Sequence, residues 1–388
     1  MLRIVKNAEV YAPQSMGIQD VWIADGRIMY IGTDRDVPHW VSVDDVFDAQ
    51  GLRVVPGLVD GHVHLTGGGG ESGPASRVPR LGLSRLTRAG ITSCVGVLGT
   101  DGTTRTMRDL VATTLGLREL GLSAWCYTGS YQVPVCTLTG SVRDDITFID
   151  PIIGVGELAI SDHRSSQPTL DELLRIASDA YVAGILSNKA GILHLHLGDG
   201  SRGLSMVRQA LSTSELPARV FHPTHVNRQR RLFAEAMEMA DLGLTVDVTA
   251  FPGDEESYSA SEAIDRWLHA ARPSTQITCS SDGAGCLPVF DEDGRITSMD
   301  IGQPMALTEA MGEVLDMGHD PATVFSIFTQ NAATTLGLHG KGSLAIGTDA
   351  DLVVLNEAHQ PTAVMARGQW VVREGRPHLK GPFEKDTQ

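Results

Sequence analysis

Both ends of the chain show short alternations of apolar and polar residues, which is the pattern of half-buried β-strands. Residues 1–52 contain the runs LRIVKNAEVYAP, DVWIADGRIMYIG and VFDAQGLRVV, which are separated by turn signals such as Asp-Gly. The last fifty residues have the same texture, in GSLAIGTDADLVVLN and PTAVMARGQWVVREGRP. The pattern therefore predicts that the two ends form one small β domain.

Between these ends, strand-like apolar runs alternate with segments of helical periodicity. Examples are ITSCVGVLG before TRTMRDLVATTLGLRELG, and GILHLHLGD before SMVRQALSTSEL. About eight such strands with intervening helices predict a (β/α)8 barrel of the TIM type, although a doubly wound parallel sheet has the same local texture. The favoured α/β architecture is a barrel of residues 53–340 beside a small β-sandwich domain formed by residues 1–52 and 341–388.

Composition narrows the class of protein but adds little about its chemistry. The 388 residues are 42% hydrophobic and 20% charged, which is typical of a globular protein. The formal net charge of −16 argues against a nucleic acid or an anionic membrane as a partner. No apolar run reaches the roughly 18 residues of a membrane span. The five cysteines form no CxxC pair, so we expect a reducing, cytoplasmic environment.

The most informative stretch is VVPGLVDGHVHLTGGGGE, residues 54–71. It reads as a strand, and side chains two residues apart on a strand point to the same side. His62 and His64 therefore project together, and two neutral imidazoles side by side form half of a site for a zinc-like ion. The glycine run that follows allows backbone to approach a ligand closely.

Other predicted strands also end in polar side chains that suit a metal site. In a barrel, the carboxyl ends of the strands build the active site. These ends carry, in chain order, His62 and His64, Thr100, Tyr131, Glu157, His196, His225 and Asp282. Glu157 interrupts an otherwise apolar strand, GVGELAIS, where an unpaired buried charge would be very unfavourable. Four histidines, one glutamate and one aspartate could hold two divalent ions, with Glu157 between them.

The same residues lie in motifs of a known family. GHVHL, SSDG and the closing GSLAIGTDADLVVL resemble the amidohydrolase superfamily of metal-dependent hydrolases. HVHLTGGGGESGP, SRLTRAGITSCVGVLGTD, GSYQVP with TLTGSV, AISDHRS and PTHVNR are similar to the bacterial isoaspartyl (β-aspartyl) dipeptidases. The similar motifs run from about residue 54 to 290, and the end segments agree with the small β domain of that family.

The resemblance implies two divalent ions per chain, with zinc expected because the ligands are rich in histidine. His62 and His64 would bind the first ion and His196 and His225 the second. Asp282 would bind the first ion and act as general base and acid toward a hydroxide that bridges the two ions. The family bridges its ions with a carboxylated lysine, whereas this chain has Glu157 at that position.

The implied substrate is a β-aspartyl dipeptide, whose isopeptide bond would be hydrolysed. Tyr131 would donate a hydrogen bond to the developing oxyanion. Glu71 would bind the α-ammonium group, and Arg164 and Arg228 the carboxylates. The backbone near Gly69, the Thr100 hydroxyl and Cys286 would contact substrate; the family usually has a serine at the position of Cys286. The resemblance also implies a homo-oligomer.

Two other functions stay open at this point. A related hydrolase could act on N-acyl amino acids or cyclic amides, although Glu71, Arg164 and Arg228 favour the dipeptide. A protein without activity could serve as a scaffold, but such proteins typically lose metal ligands, and here the histidines and Asp282 are present.

Overall fold

The computed structural model describes residues 2–33, 35–39, 41–290 and 296–385. In these ranges the strands are β1 (Leu2–Tyr11), β2 (Ser15–Ala24), β3 (Arg27–Gly32), β4 (Val43–Asp48), β5 (Arg53–Pro56), β6 (Leu58–Val63), β7 (Ile91–Gly96), β8 (Ser123–Thr128), β9 (Ile152–Ile160), β10 (Ile192–Leu197), β11 (Phe221–Thr224), β12 (Val246–Thr249), β13 (Ile277–Ser280), β14 (Cys286–Phe290), β15 (Ile296–Ile301), β16 (Leu352–Leu355), β17 (Pro361–Ala366), β18 (Gln369–Arg373) and β19 (Arg376–Pro377). The α-helices are α1 (Leu83–Arg88), α2 (Met107–Glu119), α3 (Val142–Phe148), α4 (Leu170–Ser187), α5 (Ser205–Thr213), α6 (Arg230–Met239), α7 (Ala260–His269), α8 (Met305–Asp316), α9 (Pro321–Phe328) and α10 (Gln330–Thr335).

The strands β6 to β13 form a TIM-like barrel. Strands β6 to β11 lie side by side in chain order in one parallel sheet, and β12 pairs with β13 in parallel. The circle closes where Val63, at the end of β6, bridges Gly283, and where the His64 amide donates to the Gly283 carbonyl at 2.9 Å. A doubly wound sheet would reverse its strand order at a switch point, and β6 to β11 show no reversal.

Helices pack on the outside of the barrel, and α4 does so through one apolar stripe. In α4 the buried side chains include Leu173, Ile176, Ala177 and Ala180, spaced three or four residues apart. A capping box of Thr169 and the N3 residue Glu172 satisfies free amides at its start. None of the helices in the described ranges has the length and apolar character needed to cross a bilayer.

A second sheet takes strands from both ends of the chain. Its order is β19-β18-β17-β16-β5-β1-β2-β3, with β4 paired to β1. The apolar residues of this sheet form a core of their own, which includes Val5, Ile23 and Val54. The division of this sheet into a two-layered sandwich, and the boundaries 1–52 plus 341–388 and 53–340, stay predictions.

A buried ion pair connects the second sheet to the barrel. The ammonium group of Lys341 donates to Asp351, just before β16, and to the hydroxyl of Ser123 on β8, both at 2.6 Å. All three residues are buried. This contact therefore holds the start of β8 against the second sheet.

Candidate metal centre

The first pair of histidines lies at the carboxyl end of β6. The rings of His62 and His64 are 5.4 Å apart, and both residues are buried. Their Nε2 atoms lie 3.4 and 3.5 Å from the same carboxylate oxygen, Oε1 of Glu157 on β9. The two-residue period of the strand thus brings both rings to one carboxylate, which enters the barrel from the fourth strand.

The second pair of histidines faces the other oxygen of Glu157. Nδ1 of His196 on β10 lies 3.0 Å from Oε2, and Nε2 of His225, directly after β11, lies 3.5 Å from it. Each carboxylate oxygen therefore serves one histidine pair. The two groups of three side chains, each compact enough to hold an ion, share Glu157.

Asp282 completes the first group from the loop after β13. Its Oδ1 atom lies 3.0 Å from Nε2 of His64 and 3.6 Å from Nε2 of His62. Asp282 has a left-handed backbone, with φ of 50°, and such residues concentrate at functional sites. Gly285 makes room for this carboxylate, because a Cβ there would lie 2.1 Å from Oδ1.

Several buried polar atoms at the centre have no hydrogen-bond partner among the described residues. They include Nε2 of His62, Oε1 of Glu157 and Oδ1 of Asp282. Buried polar atoms are almost always paired, since an unpaired one is costly. Imidazole nitrogens and carboxylate oxygens are common ligands of divalent ions such as zinc. The donor set thus fits the divalent ions that the sequence predicts.

The carboxylates at the centre are charged in the absence of an ion. Burial raises the pKa of Asp282, but His64 and His62 outweigh burial and lower this pKa to about 2. Burial also opposes ionisation of Glu157, yet His62, His196 and His225 hold its pKa well below the usual value. Burial lowers the pKa of His62, but Glu157 and Asp282 raise it to about 9. Without an ion, a proton on His62 balances part of the negative charge.

Three of the four histidines also contact a further side chain through the ring nitrogen that faces away from Glu157. Asp162 lies 3.0 Å from Nε2 of His196, and the Thr249 hydroxyl lies 2.6 Å from Nδ1 of His225. Nε2 of His194 lies 2.8 Å from Nδ1 of His62. Burial lowers the pKa of His194 well below its usual value, so this ring is neutral.

Sequence reasoning did not assign a function to Asp162, Thr249 or Asp60. Asp60 is buried and accepts hydrogen bonds from the amide and hydroxyl of Ser281, at 3.1 and 2.5 Å, so it fastens β6 to the loop that carries Asp282. Asp162 lies two residues after the end of β9, the strand that carries Glu157. Its position at a strand end was the signal that could have identified it.

Tyr131, the predicted oxyanion donor, lies against the second histidine pair. Its hydroxyl is 2.8 Å from Nδ1 of His196, and the residue is only 5% exposed. Burial and the Glu157 charge raise the pKa of Tyr131 well above its usual value. The phenol is therefore protonated at neutral pH and able to donate.

The predicted substrate-binding charges lie beside the centre. Glu71 and Arg164 are 3.6 Å apart, and Oε2 of Glu71 is buried without a hydrogen-bond partner among the described residues. Nη1 of Arg228 lies 3.2 Å from Nε2 of His196. Burial and the negative charge of Glu71 together raise the pKa of the Cys286 thiol to about 11. The thiol is therefore protonated at neutral pH.

The glycine loop brings Glu71 to this position. Gly69 has φ of 76°, and a Cβ there would lie 2.5 Å from the Ser76 carbonyl, so the position requires glycine. Arg105 is buried and donates to the carbonyl of Gly68 at 2.7 Å.

Gly99 lies against the first histidine pair, since a Cβ there would lie 2.5 Å from Cε1 of His64. Thr100, the next residue, is half-buried. The structure therefore brings the predicted site residues to one end of the barrel, while their roles stay predictions.

Comparison with known proteins places this site in context. The model of the amidohydrolase family matches residues 53–371. The crystal structure of a β-aspartyl dipeptidase from the thermophile Fervidobacterium islandicum AW-1, in complex with β-Asp-Leu dipeptide, is 40% identical, with a TM-score of 0.94 over 99% of each chain. A second structure of the β-aspartyl dipeptidase from that organism is 39% identical, with a TM-score of 0.91 over 99% of this chain and 100% of the other.

Relatives of lower sequence identity are named as other enzymes. The adenine deaminase of Leuconostoc mesenteroides is 24% identical over 376 residues, a match that covers 94% of this chain and 60% of the deaminase. This chain thus spans about three fifths of the length of that relative.

Proposed function

The chain belongs to the amidohydrolase family and is a hydrolase, and we propose that it is a binuclear-metal dipeptidase that cleaves the isopeptide bond of β-aspartyl dipeptides. One observation carries the proposal: Glu157 presents one oxygen to His62 and His64 and the other to His196 and His225. The 40% identity over 99% of the chain to a β-aspartyl dipeptidase complexed with β-Asp-Leu supports the substrate class.

In this proposal His62, His64 and Asp282 would hold the first ion, His196 and His225 would hold the second, and Glu157 would be a ligand of both. Zinc is the expected ion, because the donor set is mostly imidazole. When bound, two divalent ions would lower the pKa of a water molecule and polarise the scissile carbonyl. Glutamate is an ordinary residue, so this bridge needs no carbon dioxide for its formation.

Asp282 is the proposed proton carrier. Its pKa of about 2 means that it is a carboxylate at neutral pH and can accept a proton from the attacking water. The protonated carboxyl then gives this proton to the departing amine, which restores the charged form. Asp282 lies beside the first histidine pair, at 3.0 Å from His64, so it would accept and return the proton next to the metal centre.

Tyr131 is the proposed oxyanion donor. Its hydroxyl is protonated and lies at the second histidine pair. As the scissile carbonyl gains negative charge, a hydrogen bond from a fixed, buried phenol strengthens more than it does in the ground state.

The adjacency of Glu71 and Arg164 suits an isoaspartyl group. In such a residue the free α-ammonium and α-carboxylate groups are attached to the same carbon, because the peptide bond runs through the side chain. The opposite charges of Glu71 and Arg164, 3.6 Å apart, could bind these two groups together. Arg228 is then available for the second carboxylate, with Gly69, Thr100 and Cys286 contacting the rest of the dipeptide.

A substrate panel tests the proposal. The metal-loaded enzyme should release leucine from β-Asp-Leu and not from α-Asp-Leu, and the same panel should include N-acyl amino acids and cyclic amides. Activity on those compounds without activity on any β-aspartyl dipeptide would contradict the proposal. About two ions per chain by elemental analysis, with turnover that a chelator abolishes, distinguishes the enzyme from a scaffold.

The assembly of the enzyme is a separate proposal. The sequence resemblance implies a homo-oligomer, and light scattering on the purified enzyme measures its mass against the 41.5 kDa of one chain. A mass of one chain would contradict this proposal without affecting the catalytic one.

A further inference from the structure

Below the metal centre, four side chains from neighbouring strands continue inward from His62. Nδ1 of His62 lies 2.8 Å from Nε2 of His194, and Nδ1 of His194 lies 3.0 Å from Nδ1 of His222. Nε2 of His222 lies 3.3 Å from the Thr278 hydroxyl, which donates to Oδ1 of Asp247 at 2.6 Å. All five residues are buried. We call this series, from His62 to Asp247, the histidine chain.

The carboxylate at the inner end fixes the direction of every hydrogen bond in the histidine chain. The Thr278 hydroxyl donates to the carboxylate of Asp247, so its oxygen is left to accept from Nε2–H of His222. Neutral His222 then has a bare Nδ1, which accepts from Nδ1–H of His194. By the same rule, Nε2 of His194 is bare and accepts from Nδ1–H of His62.

A positively charged imidazole inside the histidine chain would disrupt this series of hydrogen bonds. A second proton on His194 or His222 would set two N–H groups against each other across a contact of about 3 Å, which no hydrogen bond can satisfy. The series of contacts is therefore compatible with one direction only. It ends with a proton on Nδ1 of His62, which leaves Nε2 as the nitrogen that can bind an ion.

We propose that the histidine chain holds His62 in the Nδ1–H tautomer with Nε2 directed at the metal centre, and thereby sets the affinity of the first metal site. In this role His194, His222, Thr278 and Asp247 are positioning residues, since none of them touches the ion or the substrate. The proposal rests on the proposed function only in that it takes His62 to be a metal ligand.

The residues around His194 hold its ring in one position. The ring of Tyr127 stacks on His194 at 4.9 Å with an interplanar angle of 14°, and the Tyr127 hydroxyl donates to the Gly61 carbonyl, one residue before His62. Gly156 leaves space on the other strand, since a Cβ there would lie 2.8 Å from the Cβ of His194. The ring is thus fixed in position and in orientation.

The side chain of Asp247 is also fixed in position by further hydrogen bonds. Besides Thr278 it accepts hydrogen bonds from the hydroxyls of Thr224 at 2.7 Å and Ser280 at 2.5 Å. Three hydroxyl donors stabilise the carboxylate inside the barrel.

The two histidines of the first site, His62 and His64, differ in whether a neighbouring side chain hydrogen-bonds to Nδ1. Nδ1 of His64 has no hydrogen-bond partner among the described residues, whereas Nδ1 of His62 has the histidine chain. At the second site, Asp162 supports His196 and Thr249 supports His225 directly. Disruption of the histidine chain should therefore weaken the first site more than the second.

The experiment measures the dissociation constants of both ions by chelator competition, starting from the holoenzyme. His194→Leu should weaken the first site by about 10–100-fold, as loss of the hydrogen-bond partner of a ligand histidine typically does. Thr278→Val keeps the shape of the side chain and removes the link to Asp247, so it should act in the same direction by at least about threefold. Thr278→Ser keeps the hydroxyl and should restore wild-type affinity.

Thr224→Val is the matched control. It removes a hydroxyl donor from the same carboxylate and is equally buried, but Thr224 lies outside the histidine chain. If Thr224→Val weakens the first site as much as Thr278→Val, or if Thr278→Val leaves both sites at wild-type affinity, the proposal is wrong. Thermal unfolding of each variant shows whether a change in affinity reflects a loss of folding.

The tautomers themselves can be observed by two-dimensional NMR of the imidazole nitrogens in the metal-loaded protein. We expect protonated Nδ1 for His62 and His194 and protonated Nε2 for His222. Any other set overturns the proposal. These measurements use no peptide, so an enzyme that binds two ions but ignores β-Asp-Leu would contradict the proposed function alone.

Discussion

The carboxylate of Asp162 lies 3.0 Å from Nε2 of His196, on the side of the ring away from Glu157. This contact holds the Nε2–H tautomer and directs Nδ1 at the metal centre. The same carboxylate binds Nε and Nη2 of Arg164, at 3.0 and 2.7 Å. Asp162 therefore couples the position of a metal ligand to that of a predicted substrate-binding arginine.

Replacing Asp162 by Ala should lower metal affinity and peptide affinity together. Loss of such a partner typically weakens metal binding about 10–100-fold, and Arg164 loses the group that orients it. Chelator competition measures the first effect and the KM for β-Asp-Leu the second. Asp199→Ala is the control, since Asp199 is exposed and contacts His163. Equal effects of the two variants would contradict the role of Asp162.

Replacing Asp282 by Asn should abolish turnover and leave most of the metal bound. The amide cannot accept the proton of the attacking water, so kcat should fall by at least about 100-fold. The four histidines and Glu157 remain to hold the ions. Metal content and activity measured on one sample test both statements, and an active Asn variant would exclude Asp282 as the proton carrier.

The affinity of the first site should depend on pH through His62. In the metal-free protein the pKa of His62 is about 9, so the ring is protonated at pH 7 and an ion must displace that proton. Apparent affinity should therefore rise with pH until about pH 9 and then level off. Calorimetry at pH 7 in two buffers of different ionisation enthalpy should detect about one proton released. Absence of proton release would contradict this charge state.

Replacing Glu71 by Gln should impair recognition of the α-ammonium group. The substitution removes one charge at nearly constant shape, and loss of a charged hydrogen bond of about 1.5–3 kcal/mol lowers kcat/KM for β-Asp-Leu about 10–100-fold. Nα-acetylated β-Asp-Leu, which lacks the positive charge, is the matched control. Wild type and variant should cleave that compound equally slowly; a variant that still prefers the free amine would contradict the assignment.

The sequence predicted the parts of the site that lie at strand ends. The two-residue period of a strand is enough to place His62 beside His64, and the order of strands in a barrel is enough to bring Glu157, His196 and His225 to the same end. The alternation of strand-like and helical segments predicted parallel strands with intervening helices, and the barrel was favoured over a doubly wound sheet with the same local texture. These features depend on local periodicity, which is visible in a single chain.

The supporting contacts were not predictable in the same way. The histidine chain takes its five residues from five strands, β6, β10, β11, β12 and β13, and His62 and Thr278 are 216 residues apart in the sequence. Their pairing depends on the height of each side chain inside the barrel, which the stagger of the strands decides. Local periodicity gives the face of a strand and not its height. The hydrogen-bond partners of His194 could therefore not be named from the sequence.

A crystal of the zinc-loaded enzyme, with anomalous scattering measured on both sides of the zinc edge, tests the central claim most directly. We predict two peaks about 3.5–4 Å apart, one beside His62 and His64 and one beside His196 and His225, with the carboxylate of Glu157 between them. A single peak, or two peaks with Glu157 turned away from both, would contradict a binuclear centre bridged by this glutamate.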